Sequence, residues 1–122
     1  QLPALSNLIE DVQEKAERGY LIGLDKRKIS VRSSHAALNT LLQGSGAIVC
    51  KEWIRHANKL FDGETKLVAW VHDEIIIETT NEKSDYIAKE TVAAIGKAGE
   101  SLQLRVELTG EAQIGSDWSA IH

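Results

Sequence analysis

Two stretches rich in β-branched residues, Leu67-Val68-Ala69-Trp70-Val71 and Ile75-Ile76-Ile77, are separated only by His72-Asp73-Glu74. Each stretch predicts a strand buried on at least one face. So short a connection makes the pair a hairpin, over roughly Lys66 to Thr80. An acidic pair where two such strands meet is costly unless it turns at the surface or holds a cation. The first alternative is an ordinary charged turn and the second an active-site hairpin. This segment alone leaves both open.

The pattern on either side fills out an α+β domain. Leu5, Leu8, Ile9, Val12 and Ala16 recur at helical steps, with Pro3 near the start and Gly19 as a stop, so Leu2 to Gly19 is expected to be helical. Tyr20 to Leu24 and Lys28 to Arg32 form a hairpin turning at Asp25-Lys26-Arg27. Ser33 or Ser34 caps a long helix from about His35 to Phe61, which Asp62-Gly63 ends. A third helix fits Lys83 to Leu102, and the alternating segment Gln103 to Leu108 suggests a last strand. Gly110 to Trp118 reads as irregular. The expected architecture is an antiparallel β-sheet, two hairpins plus a C-terminal strand, covered on one face by three helices.

A length of 122 residues suits a single domain over 1–122. No apolar run approaches the roughly 20 residues that cross a bilayer, so no membrane partner is expected. Cys50 is the only cysteine, which excludes an internal disulfide and fits an intracellular setting. The sequence contains no Met, and a piece of a longer protein is the expected explanation.

Net charge is −4, but it is unevenly spread. Lys26, Arg27, Lys28, Arg32 and Lys51 lie in a stretch without a single acidic residue, leaving 9 Lys and Arg against 18 Asp and Glu elsewhere. Such a block is either a solvated patch or a phosphate-contacting surface.

The second helix carries an odd polar stripe. His35, Asn39 and Gln43 lie four apart on one face, followed by Gly44-Ser45-Gly46-Ala47. Two glycines inside a helix cost about 1 kcal/mol each against Ala, so something should need the close approach they permit. A packed neighbour would suffice. The alternative is a duplex minor groove, which shows purine N3 and pyrimidine O2 acceptors at every base pair and would suit the amides of Asn39 and Gln43.

For the acidic pair, neighbouring strand residues point to opposite faces, so Asp73 is expected as the metal ligand and Glu74 as an indirect participant. One carboxylate is too few for a hard dication, and Asp25, Glu64 and Asp117 are conceivable second donors. His72 has no second His or Cys at a zinc-binding spacing.

Taken together, the stretch from Gly23 through Arg32, His35, Asn39 and Gln43 to Gly44, and the triplet after Val71, resemble the C-terminal palm region of family A (polymerase I-like) DNA polymerases. The replicative polymerases of short-tailed bacteriophages are the nearest match. The His-Asp-Glu triplet alone is weak, but Asn-x-x-x-Gln about thirty residues before it makes the combination specific. The resemblance runs from Tyr20 onward and implies that Asp73 binds catalytic magnesium, within a site of two Mg²⁺ ions. It implies a supporting acidic role for Glu74 near the primer end, with His72 beside it. Asn39 and Gln43 would contact the primer–template minor groove, and Arg32 and the basic turn the duplex backbone. The last residues, Trp118 to His122, resemble phage termini in which the final His approaches the active site. An upstream metal-binding Asp, the fingers helix, the thumb and a proofreading domain have no counterpart in this sequence.

The implied activity is DNA-directed DNA polymerisation in DNA replication, in the cytoplasm of a bacterium or phage-infected cell. Primer–template DNA, dNTP and the remaining polymerase domains would be the partners. Alone, the 122 residues would be inactive, and a domain cut from its neighbours can pair with itself. Two other readings stand beside this one. A non-catalytic domain could grip duplex DNA through the Lys26–Lys51 face, or a stand-alone phosphohydrolase could use Asp73 with a second carboxylate.

Overall fold

The computed structural model describes residues 2–122. They form two compact units, one ending at Ile48 and one beginning at Val49.

The first unit opens with helix α1, Pro3–Ala16, whose start carries proline where no backbone donor is needed. Its apolar stripe is buried only toward the end. Val12 and Ala16 are in the core, while Leu5 and Leu8 are exposed. Strands β1, Tyr20–Ile22, and β2, Lys28–Ser30, pair antiparallel, with Leu21 opposite Ile29. Ser33 then accepts a hydrogen bond from the Ala36 amide at 3.3 Å and caps a 3-10 turn over Ser34–Ala36. Helix α2, Ala37–Ala57, follows it directly. Val12, Ala16, Leu21 and Ala37 make the core, flanked by Val31, Leu38 and Leu41. Burying a side chain such as Leu21 is worth about 2 kcal/mol.

The glycines in α2 separate here. A Cβ on Gly44 would lie 2.8 Å from the Cδ1 of Ile29, so packing of the hairpin explains this glycine. Gly46 has nothing within 4 Å of that position among the described residues, so packing does not account for it.

In the second unit a 3-10 turn, Asn58–Leu60, carries on from α2. Strand β3, Lys66–Val71, pairs with β4, Glu74–Glu78, and helix α3, Ser84–Ser101, follows. Ala57, Leu60, Ile87 and Ala94 form the core, with Trp53, Phe61 and Ile77 against it. The Trp53 indole donates to the Thr91 carbonyl at 2.8 Å.

The α+β class and all three helices stand as the sequence predicts, but two expectations do not. The hairpins form two separate two-stranded sheets rather than one. Among the described residues 103–108 there is no strand. The alternation of Leu104, Val106 and Leu108 imitates one, yet the segment docks on α3. A Cβ on Gly99 would lie 3.2 Å from the Cγ of Leu108, and one on Gly110 would lie 2.5 Å from the Cδ1 of Ile95. Leu104 donates its amide to the Gly99 carbonyl at 3.0 Å. Small residues on the helix take up this backbone, while Val106 stays exposed.

Candidate active site

The β3–β4 turn owes its geometry to a bulge. Lys66 pairs with Glu78 and Leu67 with Ile77, but Ala69 then pairs with Ile76, so Val68 is extra and exposed. In straight register the connection would hold three residues. With the shift, Val71 pairs with Glu74 and only His72 and Asp73 remain in the loop. His72 takes the left-handed conformation, φ 54°, a strain of about 1 kcal/mol for a residue with a Cβ.

Both ends of this hairpin are held. At the open end the Thr65 and Thr79 hydroxyls are 2.8 Å apart, and Asp62 Oδ1 accepts from the Glu64 and Thr65 amides, each at 2.8 Å. At the turn, the Trp70 indole donates to the His72 carbonyl at 2.8 Å. Asp73 is therefore presented by a pinned loop. Its carboxylate is exposed, and no Lys, Arg or His forms an ion pair with it among the described residues. An aspartate on a fixed turn with no cation of its own is a free oxygen donor.

Near enough to feel its charge is Cys50, buried on α2. Burial pushes its thiol above the usual range, the Asp73 charge adds to this, and the Trp70 side chain opposes it. A thiol so placed stays protonated and is not a thiolate ligand.

Glu74 differs from its neighbour. Its Oε1 is 2.7 Å from His122 Nε2, and His122 Nδ1 is 3.0 Å from the Trp118 carbonyl. The two rings stack at 4.3 Å with 17° between planes. The Trp118 carbonyl first and Glu74 second raise the His122 pKa above its ordinary value, with desolvation opposing them.

The three candidate second carboxylates are each engaged elsewhere. Asp25 pairs with Arg27, Glu64 with Lys83 at 2.5 Å, and Asp117 accepts from Ser119 and the Ala120 amide. No group of three or more His, Cys, Asp or Glu suited to a metal occurs among the described residues. Asp73 fits a hard cation in kind, an exposed carboxylate oxygen, but supplies one ligand of the several such an ion takes.

In the first unit, His35, Asn39 and Gln43 are all exposed, and Gly46 continues the stripe of Asn39 and Gln43 one turn on. The basic hairpin is less uniform than its composition. Arg27 is bound to Asp25 through both its amide and its guanidinium. Lys28 sits 4.6 Å above the Tyr20 ring, with Arg18 also on that ring at 4.4 Å. Lys26, with φ 67° at the turn, and Arg32 are exposed and have no ion pair among the described residues.

Residue spacing did not reveal the partner of His122. The four-residue step from Trp118 to His122 signals their stacking, but nothing local points to Glu74, 48 residues away. Cys50 and Trp70 carry no signal beyond being apolar.

Residues 11–120 match DNA polymerase family A. The chain is 38% identical over 120 residues to the DNA-directed DNA polymerase of Escherichia phage T7, covering 90% of this chain and 17% of that protein. It is 28% identical over 126 residues to DNA polymerase I of Bacillus caldotenax, covering 93% of this chain and 14% of that protein. It thus spans under a fifth of these relatives. In fold it is similar to the POL domain of Pol1 from M. smegmatis, solved in complex with DNA primer-template and dNTP. The TM-score is 0.68 at 21% identity, covering 76% of this chain and 19% of that one. No helix among the described residues is long and apolar enough to cross a membrane.

Proposed function

The chain belongs to DNA polymerase family A, and we propose that it is the C-terminal palm part of a DNA-directed DNA polymerase. The observation that carries this is Asp73: an exposed carboxylate with no cationic partner among the described residues, on a bulge-set turn, in a chain of that family. The reaction is attack of a primer 3′-hydroxyl on the α-phosphate of a dNTP, forming a phosphodiester and releasing pyrophosphate. It takes place in the cytoplasm of a bacterium or phage-infected cell.

Asp73 would hold divalent magnesium, one of two ions whose chemistry is to neutralise charge on the attacking and leaving oxygens. Further ligands would come from the remaining polymerase domains and the nucleotide phosphates, since this chain offers one. Glu74 supports the primer end and His72 lies beside it. Asn39 and Gln43 donate to minor-groove acceptors regardless of sequence, and Gly46 lets the duplex approach the helix. His35 lies at the start of the same stripe. Lys26 and Arg32 hold phosphates, with Arg27 and Lys28 as weaker contributors because their charge is partly engaged.

The test is Asp73→Asn in the intact polymerase. Single-turnover incorporation should fall on the order of 10³-fold, the rate equivalent of several kcal/mol, while primer–template affinity holds or rises. Unchanged incorporation with intact DNA binding would instead favour a non-catalytic duplex-gripping role.

A further inference from the structure

We propose that the terminal turn Asp117–His122 is a positioning element for Glu74, with His122 making the contact and Trp118 setting the ring that makes it. The consequence for catalysis rests on the polymerase reading above; the contact itself does not.

The turn is built from within. Asp117 has extended backbone, φ −156°, and its Oδ1 accepts from the Ser119 hydroxyl and the Ala120 amide, both at 2.9 Å. These donors close the 3-10 turn Trp118–Ile121 and bring residue 122 back over residue 118. The Trp118 indole stacks on the imidazole, and the Trp118 carbonyl lies 3.0 Å from Nδ1. A carbonyl only accepts, so Nδ1 is the donor. The opposite nitrogen, Nε2, faces the Glu74 carboxylate at 2.7 Å, and an ionised carboxylate also only accepts. Both ring nitrogens therefore carry protons, and the ring is an imidazolium. The Trp118 carbonyl and Glu74 from β4 are the groups that raise its pKa, and no other charged side chain contributes among the described residues.

Glu74 directly follows Asp73. Two adjacent carboxylates repel, and a free Glu74 could swing toward whatever Asp73 holds. The imidazolium offsets the Glu74 charge and occupies Oε1, leaving Oε2 as the oxygen without a partner among the described residues. Glu74 is thereby fixed as a one-sided acceptor, kept apart from the Asp73 ligand position. This makes His122 a positioning residue, acting only through Glu74.

Two measurements on the intact protein test this. In protein labelled with ¹⁵N-histidine, Glu74→Gln should move the His122 ring nitrogens toward the neutral pattern and lower the pH midpoint of that ring; no change overturns the contact. In single-turnover incorporation, His122→Ala should lower the rate about tenfold, the low end for loss of an outer hydrogen-bond partner beside a metal site, with primer–template affinity unchanged. His122→Gln, which keeps one donor, should restore part of the loss. The variant combining His122→Ala with Glu74→Gln should be no slower than the worse single variant. Multiplying losses, or equal losses in Ala and Gln, would overturn the positioning role. If the wild-type protein does not polymerise, the polymerase reading fails, and the nitrogen spectra alone decide whether the turn holds Glu74.

Discussion

At the first hairpin the Arg27 guanidinium is bound to Asp25 and Lys28 lies over Tyr20, whereas at the second Asp73 has no cation among the described residues and the Trp70 indole holds the backbone beside it. Both turns place a non-glycine residue in the left-handed region, Lys26 at φ 67° and His72 at φ 54°. Their backbones bear a similar strain. Their charges are treated differently: the basic turn satisfies much of its own, and the acidic turn leaves one carboxylate open. Composition marks both turns as charged, but only uncompensated charge is available to a ligand.

The largest effect that would sharpen this contrast concerns the basic turn. Replacing Lys26 and Arg32 together by Ala should weaken primer–template binding. The slope of log affinity against log salt should fall by about 1.8, since each phosphate no longer neutralised removes about 0.9. Arg27→Ala should reduce it by less, because Asp25 already holds that charge. Titration of the intact protein with duplex at several salt concentrations checks both, and equal slopes for all variants would break the comparison.

A smaller effect is expected at the acidic turn. Trp70→Phe removes the donor to the His72 carbonyl and should cost about 1 kcal/mol in denaturant unfolding. Incorporation should slow as well, because the loop carrying Asp73 loses its tie. A stability loss without any change in rate would show that the turn holds its shape unaided.

The smallest effect is in pH, and the two hairpins should respond with opposite signs. Burial opposes it, but the Arg27 amide and guanidinium lower the Asp25 pKa. That contribution is present above the ordinary value of 3.8 and is lost as pH falls through the lowered one. His122 is raised, so its bond with Glu74 is fully present below 6.5 and is lost as pH rises through the raised value. Side-chain NMR across the pH range should see the Asp25 turn loosen on the acid side and the terminal turn on the alkaline side.

What the sequence made legible follows the range of the interactions. The hairpins and helices were readable because alternation and three-to-four spacing are local. The bulge at Val68 was not, since an inserted residue leaves the run Leu67 to Val71 looking like an uninterrupted strand. Segment 103–108 misled for a related reason: its alternation is genuine, but the glycines of α3 that accept it lie on another element. Gly44 and Gly46 looked alike until Ile29 was seen against one and open space beside the other. Asp73 was legible as a candidate because its setting is unusual, whereas the engagement of Asp25, Glu64 and Asp117 depended on side chains seen only in the fold.

The most direct measurement replaces the chemistry of the proposed ligand itself. Asp73→Cys in the intact polymerase exchanges a hard oxygen for a soft sulfur, which binds magnesium poorly and softer divalent ions well. Single-turnover incorporation should be lost with Mg²⁺ and recovered at least in part with Mn²⁺ or Cd²⁺, while Asp73→Ala recovers with none of them. Equal incorporation by the Cys variant and wild type in Mg²⁺, or no metal-dependent difference between the Cys and Ala variants, would contradict a direct metal bond to residue 73.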